Sequence, residues 1–82
     1  MDTKTIGKLV RTLRKKQGLT QAEAAGYLNV GTRFLSDFEN GKPTVQLEKA
    51  LQVMEGIGFE ILIVPKTNHK LIRYIEDHLR DV

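Results

Sequence analysis

The side chains best suited to specific chemistry lie close together between residues 31 and 40. Thr32, Arg33 and Ser36 share one side of a short segment whose other side carries Leu35 and Phe38. Hydroxyl and guanidinium groups in such a cluster suit hydrogen bonds with the edges of nucleic-acid bases, and arginine can grip guanine through O6 and N7. The cluster therefore predicts a nucleic-acid contact surface, with a solvated arginine as the alternative for Arg33.

The carboxylate of Asp37 lies on this same side and has three interpretations. It can accept a hydrogen bond from cytosine N4, repel phosphates and so sharpen specificity, or stay in solvent. The sequence leaves all three open.

The charge of the chain is unevenly distributed. Its 82 residues carry a formal net charge of +3, with eight basic and four acidic residues in positions 1–42 and five basic and six acidic residues after them. A basic excess confined to one half suits a surface that faces phosphates. An ordinary solvated face is the alternative.

The sequence gives little support to catalysis or metal binding. It has no cysteine, its two histidines are His69 and His78, and it contains no Gly-rich phosphate loop, HExxH or GxSxG motif. A zinc site needs three or four ligands. We expect no enzyme activity, no metal and no cofactor. We also expect a cytoplasmic protein, because no apolar run is long enough to span a membrane and the first residues lack a signal-peptide pattern.

The elements that must position the cluster are predicted to be short helices. Helix one is predicted to begin at a cap on Thr3 or Thr5 and to end at Gly18, with an apolar stripe at Ile6, Leu9, Val10 and Leu13. Thr20 and Glu23 have the spacing of a capping box and begin helix two.

Helix two carries Ala24, Ala25 and Leu28 inward and stops at Asn29, and helix three runs from about Thr32 to Glu39. Because only about three residues join them, these two helices must cross steeply, which is the geometry of a helix-turn-helix.

A fourth helix and a strand are predicted next. Thr44 is the expected cap of helix four, and the expected apolar face consists of Leu47, Ala50, Leu51, Met54 and Ile57. A run of β-branched and apolar residues between Gly58 and Pro65 then predicts a strand over residues 59–64. A short amphipathic helix is expected over about 68–79.

The predicted strand has no obvious partner in its own chain. A lone apolar strand exposes unpaired backbone groups and is an aggregation hazard. The simplest solution is antiparallel pairing with the same strand of a second copy across a two-fold axis. The rival interpretation is pairing within the chain, for example with the extreme N-terminus. The predicted dimer contacts are Phe59, Ile61, Leu62, Ile63 and Val64.

Residues 5–64 resemble the phage-repressor and Cro-like helix-turn-helix family. The resemblance rests on Arg14, on Gly18-Leu19-Thr20-Gln21-Ala22-Glu23 with Ala25, and on Leu35-Ser36-Asp37-Phe38-Glu39-Asn40-Gly41-Lys42. The run from Gly58 to Val64 is similar to that of the HipB-like branch, whose members act as antitoxins and autorepressors for HipA-type kinase toxins. Asn29, where the family usually has glycine, and Gly26 inside helix two depart from the pattern without placing the fold in doubt.

The resemblance implies roles for individual residues. Gln21 and Lys42 would contact phosphates, and Arg14 would form a structural ion pair with Glu39. The residues implied to face the bases are Thr32, Arg33 and Ser36, with Gly31 allowing the backbone to approach.

The implied partners are double-stranded DNA with a pseudo-palindromic operator, a second copy of the chain and a HipA-type toxin. The alternative is a free-standing repressor of phage or restriction-control type.

Together these features predict a mainly α protein: a repressor-like helix-turn-helix bundle, one C-terminal strand that pairs across a dimer, and a short C-terminal helix. Residues 1–65 would form the DNA-binding domain with its dimerisation strand. Residues 66–82 would form an amphipathic extension that braces the dimer or helps to contact a toxin.

Overall fold

A computed structural model describes residues 1–66 of the protein. This part contains four helices: α1 (Thr3–Lys16), α2 (Gln21–Leu28), α3 (Thr32–Glu39) and α4 (Leu47–Ile57). The four predicted helices and the mainly helical class are confirmed. The predicted helix over 68–79 lies outside the described residues.

All four helices end with the same backbone pattern. The residue that follows each helix by one or two positions has a positive φ, and two backbone N–H groups bond back into the last turn. At the end of α3, Gly41 N–H donates to the Phe38 carbonyl and Lys42 N–H to the Asp37 carbonyl, both at 3.0 Å. This is a Schellman motif, which favours glycine or asparagine at the positive-φ residue. The predicted ends at Gly18 and Asn29 are confirmed.

The helix starts agree with expectation only in part. The capping box of α2 is present: Thr20 N–H donates to Glu23 Oε1 at 2.9 Å, and Glu23 N–H donates to Thr20 Oγ1 at 3.1 Å. The predicted cap of α1 at Thr3 or Thr5 is wrong. The Asp2 side chain caps this helix, and its Oδ1 accepts the Thr5 N–H at 2.8 Å. A carboxylate there also faces the positive end of the helix dipole.

Helix α4 begins later than predicted. It starts at Leu47 after Gln46, which makes no side-chain cap, so the predicted cap at Thr44 is wrong. Leu47 is 71% exposed and does not belong to the apolar face. The buried residues of this helix are Ala50, Val53 and Ile57. The i, i+3, i+7 spacing of these three residues gives a stripe that faces the core.

The core lies where the four helices meet and is built from small and branched side chains. Glycine also contributes, because a β-carbon at Gly7 would lie 2.4 Å from the Phe38 carbonyl oxygen and 2.7 Å from that of Glu39. Gly7 therefore lets α1 lie directly on the C-terminal carbonyls of α3. The buried apolar residues are Val10, Ala24, Ala25, Leu28, Leu35, Phe38, Ala50, Val53 and Ile57.

Residues 59–66 follow α4 without forming a strand in the single chain. Pairing with the extreme N-terminus, the example given for the rival interpretation, is wrong because α1 already begins at Thr3. Pairing elsewhere within the chain stays a prediction. Ladder hydrogen bonds need a second strand, and residues 1–66 offer none, so pairing across a dimer stays a prediction. Within this same range, none of the helices has the length and apolar character needed to cross a membrane.

Candidate nucleic-acid interface

Helices α2 and α3 form the helix-turn-helix pair. Asn29-Val30-Gly31 joins them, with Asn29 in the left-handed conformation at φ 57° and ψ 44°. Asparagine tolerates this conformation better than most residues, which makes the reversal of the chain possible. Leu35 and Phe38 of α3 are buried against the core. The opposite side of α3 is consequently turned away from the protein.

That outer side carries the predicted base-contacting residues. Thr32 and Arg33 are exposed, and Ser36 is half-buried. Gly31 precedes the helix without a side-chain cap, and a β-carbon there would meet nothing within 4 Å. Within residues 1–66, Arg33 forms no ion pair. The start of α3 therefore presents to solvent the Thr32 hydroxyl and a guanidinium that no carboxylate in this range neutralises.

Phe34 is partly buried and packs against the edge of the core, next to the outer side of α3. Its ring meets that of Phe38 edge-on, with centroids 6.0 Å apart, and the Lys49 ammonium lies 5.7 Å from its centroid. Such contacts stabilise an aromatic ring at the rim of a core. Phe34 thereby helps to fix the orientation of α3 relative to α4.

A buried ion pair ties helix α1 to the end of α3. Arg14 Nε lies 2.6 Å from Glu39 Oε2, Arg14 Nη2 lies 2.9 Å from Glu39 Oε1, and the Glu39 side chain is fully buried. A third guanidinium nitrogen, Nη1, donates to the Leu19 carbonyl at 2.8 Å. The structure thus brings together the two residues that the family resemblance paired.

The pKa values of both groups reflect this pairing. Burial by itself raises the pKa of the Glu39 carboxyl, but hydrogen bonds from Arg14 and Gln21 and the positive charge of Arg14 outweigh it, so the pKa is lowered. The hydrogen bond to Glu39 raises the pKa of Arg14. Both groups are therefore charged at neutral pH.

Glu39 also holds side chains that reach the surface. Gln21 Nε2 donates to Glu39 Oε1 at 3.1 Å. A side-chain amide has two N–H donors, so one remains for the predicted phosphate contact. Arg11 Nε approaches the same oxygen at 3.4 Å, while its Nη2 donates to Asn40 Oδ1 at 2.9 Å.

Sequence reasoning missed Arg11. The available signal was its spacing from Arg14, because residues three positions apart share one face of a helix.

The last two predicted site residues contact one another. Lys42 Nζ lies 3.5 Å from Asp37 Oδ2, and the two side chains are 51% and 37% exposed. The backbone places them together, because Lys42 N–H also bonds the Asp37 carbonyl in the Schellman motif. Of the site residues, Arg14, Glu39 and Gln21 thus form one cluster and Asp37 with Lys42 a second, while Thr32, Arg33 and Ser36 lie along the outer side of α3.

Two short helices joined by a three-residue turn, the second with a polar exposed side, define a helix-turn-helix protein. A family model described as helix-turn-helix matches residues 10–63, and the chain belongs to this family. The membership supports DNA binding of the transcriptional-regulator type.

Two relatives were found among known proteins. The chain is similar to "Uncharacterized HTH-type transcriptional regulator y4mF" of Sinorhizobium fredii (strain NBRC 101917 / NGR234), with 52% identity over 59 residues that cover 72% of this chain and 78% of the relative. It is also similar to "ImmF control region 10 kDa protein" of Bacillus phage phi105, with 30% identity over 64 residues that cover 76% of this chain and 71% of the relative.

Proposed function

We propose that this protein is a sequence-specific transcriptional repressor that reads DNA through the outer side of α3. The observation that carries the proposal is the exposure of Thr32 and Arg33 at the start of a helix whose opposite side is locked into the core. A recognition helix meets base edges with its N-terminal residues. The proposed function of the protein is DNA binding rather than catalysis, and the proposed location is the cytoplasm.

Phosphate contacts would set the position of α3 in the major groove. Gln21 at the start of α2 and Lys42 after α3 lie on the chain at either end of the helix-turn-helix pair. Contacts of this kind fix the register of a protein on DNA and carry no sequence information themselves. Ser36 and the Gly31 backbone would complete the approach to the bases.

A dimer formed through residues 59–64 completes the proposal. Leu62, Ile63 and Val64 are 81%, 93% and 69% exposed in the single chain, while Phe59 and Ile61 are half-buried. Pairing two such segments across a two-fold axis would cover apolar surface and satisfy open backbone groups. The two copies of α3 would then reach successive major grooves about 34 Å apart.

Selection from a pool of random DNA duplexes tests the proposal. We expect the wild-type protein to enrich a pseudo-palindrome whose half-sites are centred about 10 base pairs apart. Binding that remains equal for all sequences at about 150 mM salt would contradict it, because phosphate contacts alone do not discriminate between sequences.

Whether the repressor also neutralises a toxin is a separate question. The printed name of the Sinorhizobium relative refers to transcriptional regulation and that of the phage relative to a control region, and neither name mentions a toxin. The name of the phage relative favours a free-standing repressor of phage type, while the HipB-like antitoxin role and the HipA-type partner stay predictions. Co-purification from the native operon separates them: a kinase-like protein retained at one-to-one stoichiometry would support the antitoxin role.

The role of the extension over 66–82 can be tested with the same co-purification. We propose that it braces the dimer, with toxin contact as the alternative. Deleting residues 67–82 and measuring both the dimer mass and partner retention distinguishes the two, since each role predicts the loss of a different property.

A further inference from the structure

The contact between Asp37 and Lys42 places opposite charges at the edge of the proposed DNA-reading surface. Asp37 lies four residues after Arg33, on the same side of α3, and its carboxylate faces Lys42 at 3.5 Å. Both side chains are partly exposed, and exposed ion pairs of this kind are weak. Each partner can therefore exchange the other for a stronger contact at small cost.

The backbone keeps Lys42 in place whether or not the ion pair is closed. In a Schellman motif the side chains of the third-last helical residue and of the second residue beyond the helix cap meet, usually as an apolar contact. Here these positions are Asp37 and Lys42, and the 3.0 Å bond from Lys42 N–H to the Asp37 carbonyl fixes the spacing. Only the ammonium group has to move for the pair to open.

DNA attracts the Lys42 side chain and repels that of Asp37. Phosphates attract the Lys42 ammonium, and every phosphate contact releases a counterion. A bare Asp37 carboxylate is repelled by DNA unless a base donor lies opposite. In the major groove cytosine offers the N4 amino group, whereas guanine and thymine present oxygen acceptors and the adenine amino group lies beside the N7 acceptor.

We propose that Asp37 and Lys42 form an exchangeable ion pair that couples base reading to phosphate binding. On the cognate site the Asp37 carboxylate accepts from cytosine N4 and the Lys42 ammonium turns to a phosphate. On other DNA the pair stays closed, and both contacts are lost together. The inference rests on the proposed function, and it makes Asp37 a specificity-determining residue.

The surroundings of the pair suit such a movement. A groove of about 110 Å³ lies beside it, lined by both partners together with Phe34, Thr44, Val45 and Gln46. The Lys42 side chain thus has room to move on the protein surface.

The salt dependence of binding tests the exchange. Lys42→Gln is compared with the wild type on the duplex that the wild type selects and on a scrambled duplex of equal composition. Binding weakens as salt rises, so the slope of log K against log salt is negative. On the selected duplex we expect the magnitude of this slope to fall by about one for each protomer. On the scrambled duplex we expect a smaller change, because Lys42 stays with Asp37 there and its replacement only leaves the Asp37 carboxylate bare.

A second variant tests whether the base contact of Asp37 and the phosphate contact of Lys42 are coupled. In an Asp37→Asn background, Lys42→Gln should lower the slope on both duplexes, because the lysine is then free on any DNA. Asp37→Asn alone should also reduce the preference for cytosine at one position in each half-site by about tenfold. Glu55→Gln makes the same charge change at an exposed position of α4 and should leave that preference unchanged.

Two results would overturn the inference while leaving operator binding intact. One is an equal fall in slope on both duplexes when Asp37 is present, and the other is an unchanged cytosine preference in Asp37→Asn. A wild-type protein that enriches no sequence would instead contradict the proposed function, so the two failures are distinguishable.

Discussion

At the scale of single residues, Glu39 has the most connected side chain in the described part of the protein. Its carboxylate accepts from Arg14, Arg11 and Gln21, which belong to two different helices. One oxygen, Oε1, takes part in all three interactions, while Oε2 faces Arg14 alone. A buried carboxylate with this many donors orients surface side chains as well as stabilising the fold.

Replacing this carboxylate should be strongly destabilising. Glu39→Gln leaves the buried Arg14 guanidinium without a counter-charge, and the expected loss in the free energy of unfolding is about 3 kcal/mol. Denaturant titration of the variant and of Glu55→Gln, which alters an exposed acid, measures the difference. A loss equal to that of the control would show that the ion pair contributes little.

The same residue predicts how stability depends on pH. Because folding lowers the pKa of Glu39, its contribution is complete above the unfolded value of about 4.3 and is lost as the pH falls through the folded value. Asp2 and Glu23 act in the same direction, since hydrogen bonds from Thr5 and Thr20 lower their pKa values. Stability should therefore fall below about pH 4.3, and less steeply in Glu39→Gln than in the wild type.

At the scale of elements, side chains of one helix satisfy the C-terminal carbonyls of another. Gln17 Nε2, just after α1, donates to the Ile57 carbonyl at the end of α4 at 2.6 Å, and Gln52 Nε2 of α4 donates to the Leu28 carbonyl at the end of α2 at 2.6 Å. Helix ends leave such carbonyls without intrahelical partners. These bonds therefore fix α4 against both α1 and α2.

The contact between α1 and α3 should tolerate no β-carbon at Gly7. Gly7→Ala would place that carbon 2.4 Å from the Phe38 carbonyl oxygen, so the two helices must separate. We expect a loss of about 1–3 kcal/mol in the free energy of unfolding. Gly26→Ala is the matched control, because it lies in α2 with nothing within 4 Å, and it should stabilise the protein by about 0.5–1 kcal/mol.

Thermal denaturation of the two glycine variants checks both signs. A Gly7→Ala protein as stable as the wild type would mean that α1 does not lie this close to α3. A destabilising Gly26→Ala would show that the exposed side of α2 carries a constraint that the described residues do not reveal.

The elements also show which features can be predicted from sequence. Helices α2 and α3 follow from local signals, namely the Thr20–Glu23 capping box, the turn at Asn29 and the apolar pair on α3. The cap of α1 could not be assigned from sequence, because Asp2, Thr3 and Thr5 offer the same local chemistry. The cap of α4 could not be assigned because that helix begins without any side-chain cap. Gly7 and Gln52 act through distant backbone groups, so no local pattern identifies them.

At the scale of the whole molecule, the proposed mode of operator binding requires two copies of the chain. The exposed apolar run at residues 62–64 lies shortly after the core residue Ile57 and the half-buried Phe59. Pairing of two copies through this segment would fix the distance between the two copies of α3. Tight operator binding and dimerisation should then be lost together.

A proline in the predicted strand tests that coupling. Ile61→Pro removes a ladder N–H donor and should convert the dimer into a monomer while the helices of residues 1–57 stay folded. Sedimentation measures the mass, circular dichroism the helix content, and anisotropy the operator affinity. A wild-type protein that sediments as a monomer at tens of micromolar would contradict pairing through this segment.

The most direct test of DNA reading by α3 is the base preference of Arg33→Ala. Affinities of the wild type and the variant are measured for the selected duplex and for a panel of its single-base substitutions, with Lys16→Ala as a control that removes the same charge from the last turn of α1. We predict that Arg33→Ala loses about 1–3 kcal/mol of binding free energy and its discrimination at one base pair in each half-site. An Arg33→Ala protein that binds the selected duplex as tightly as the wild type, with the same base preferences, would contradict the account.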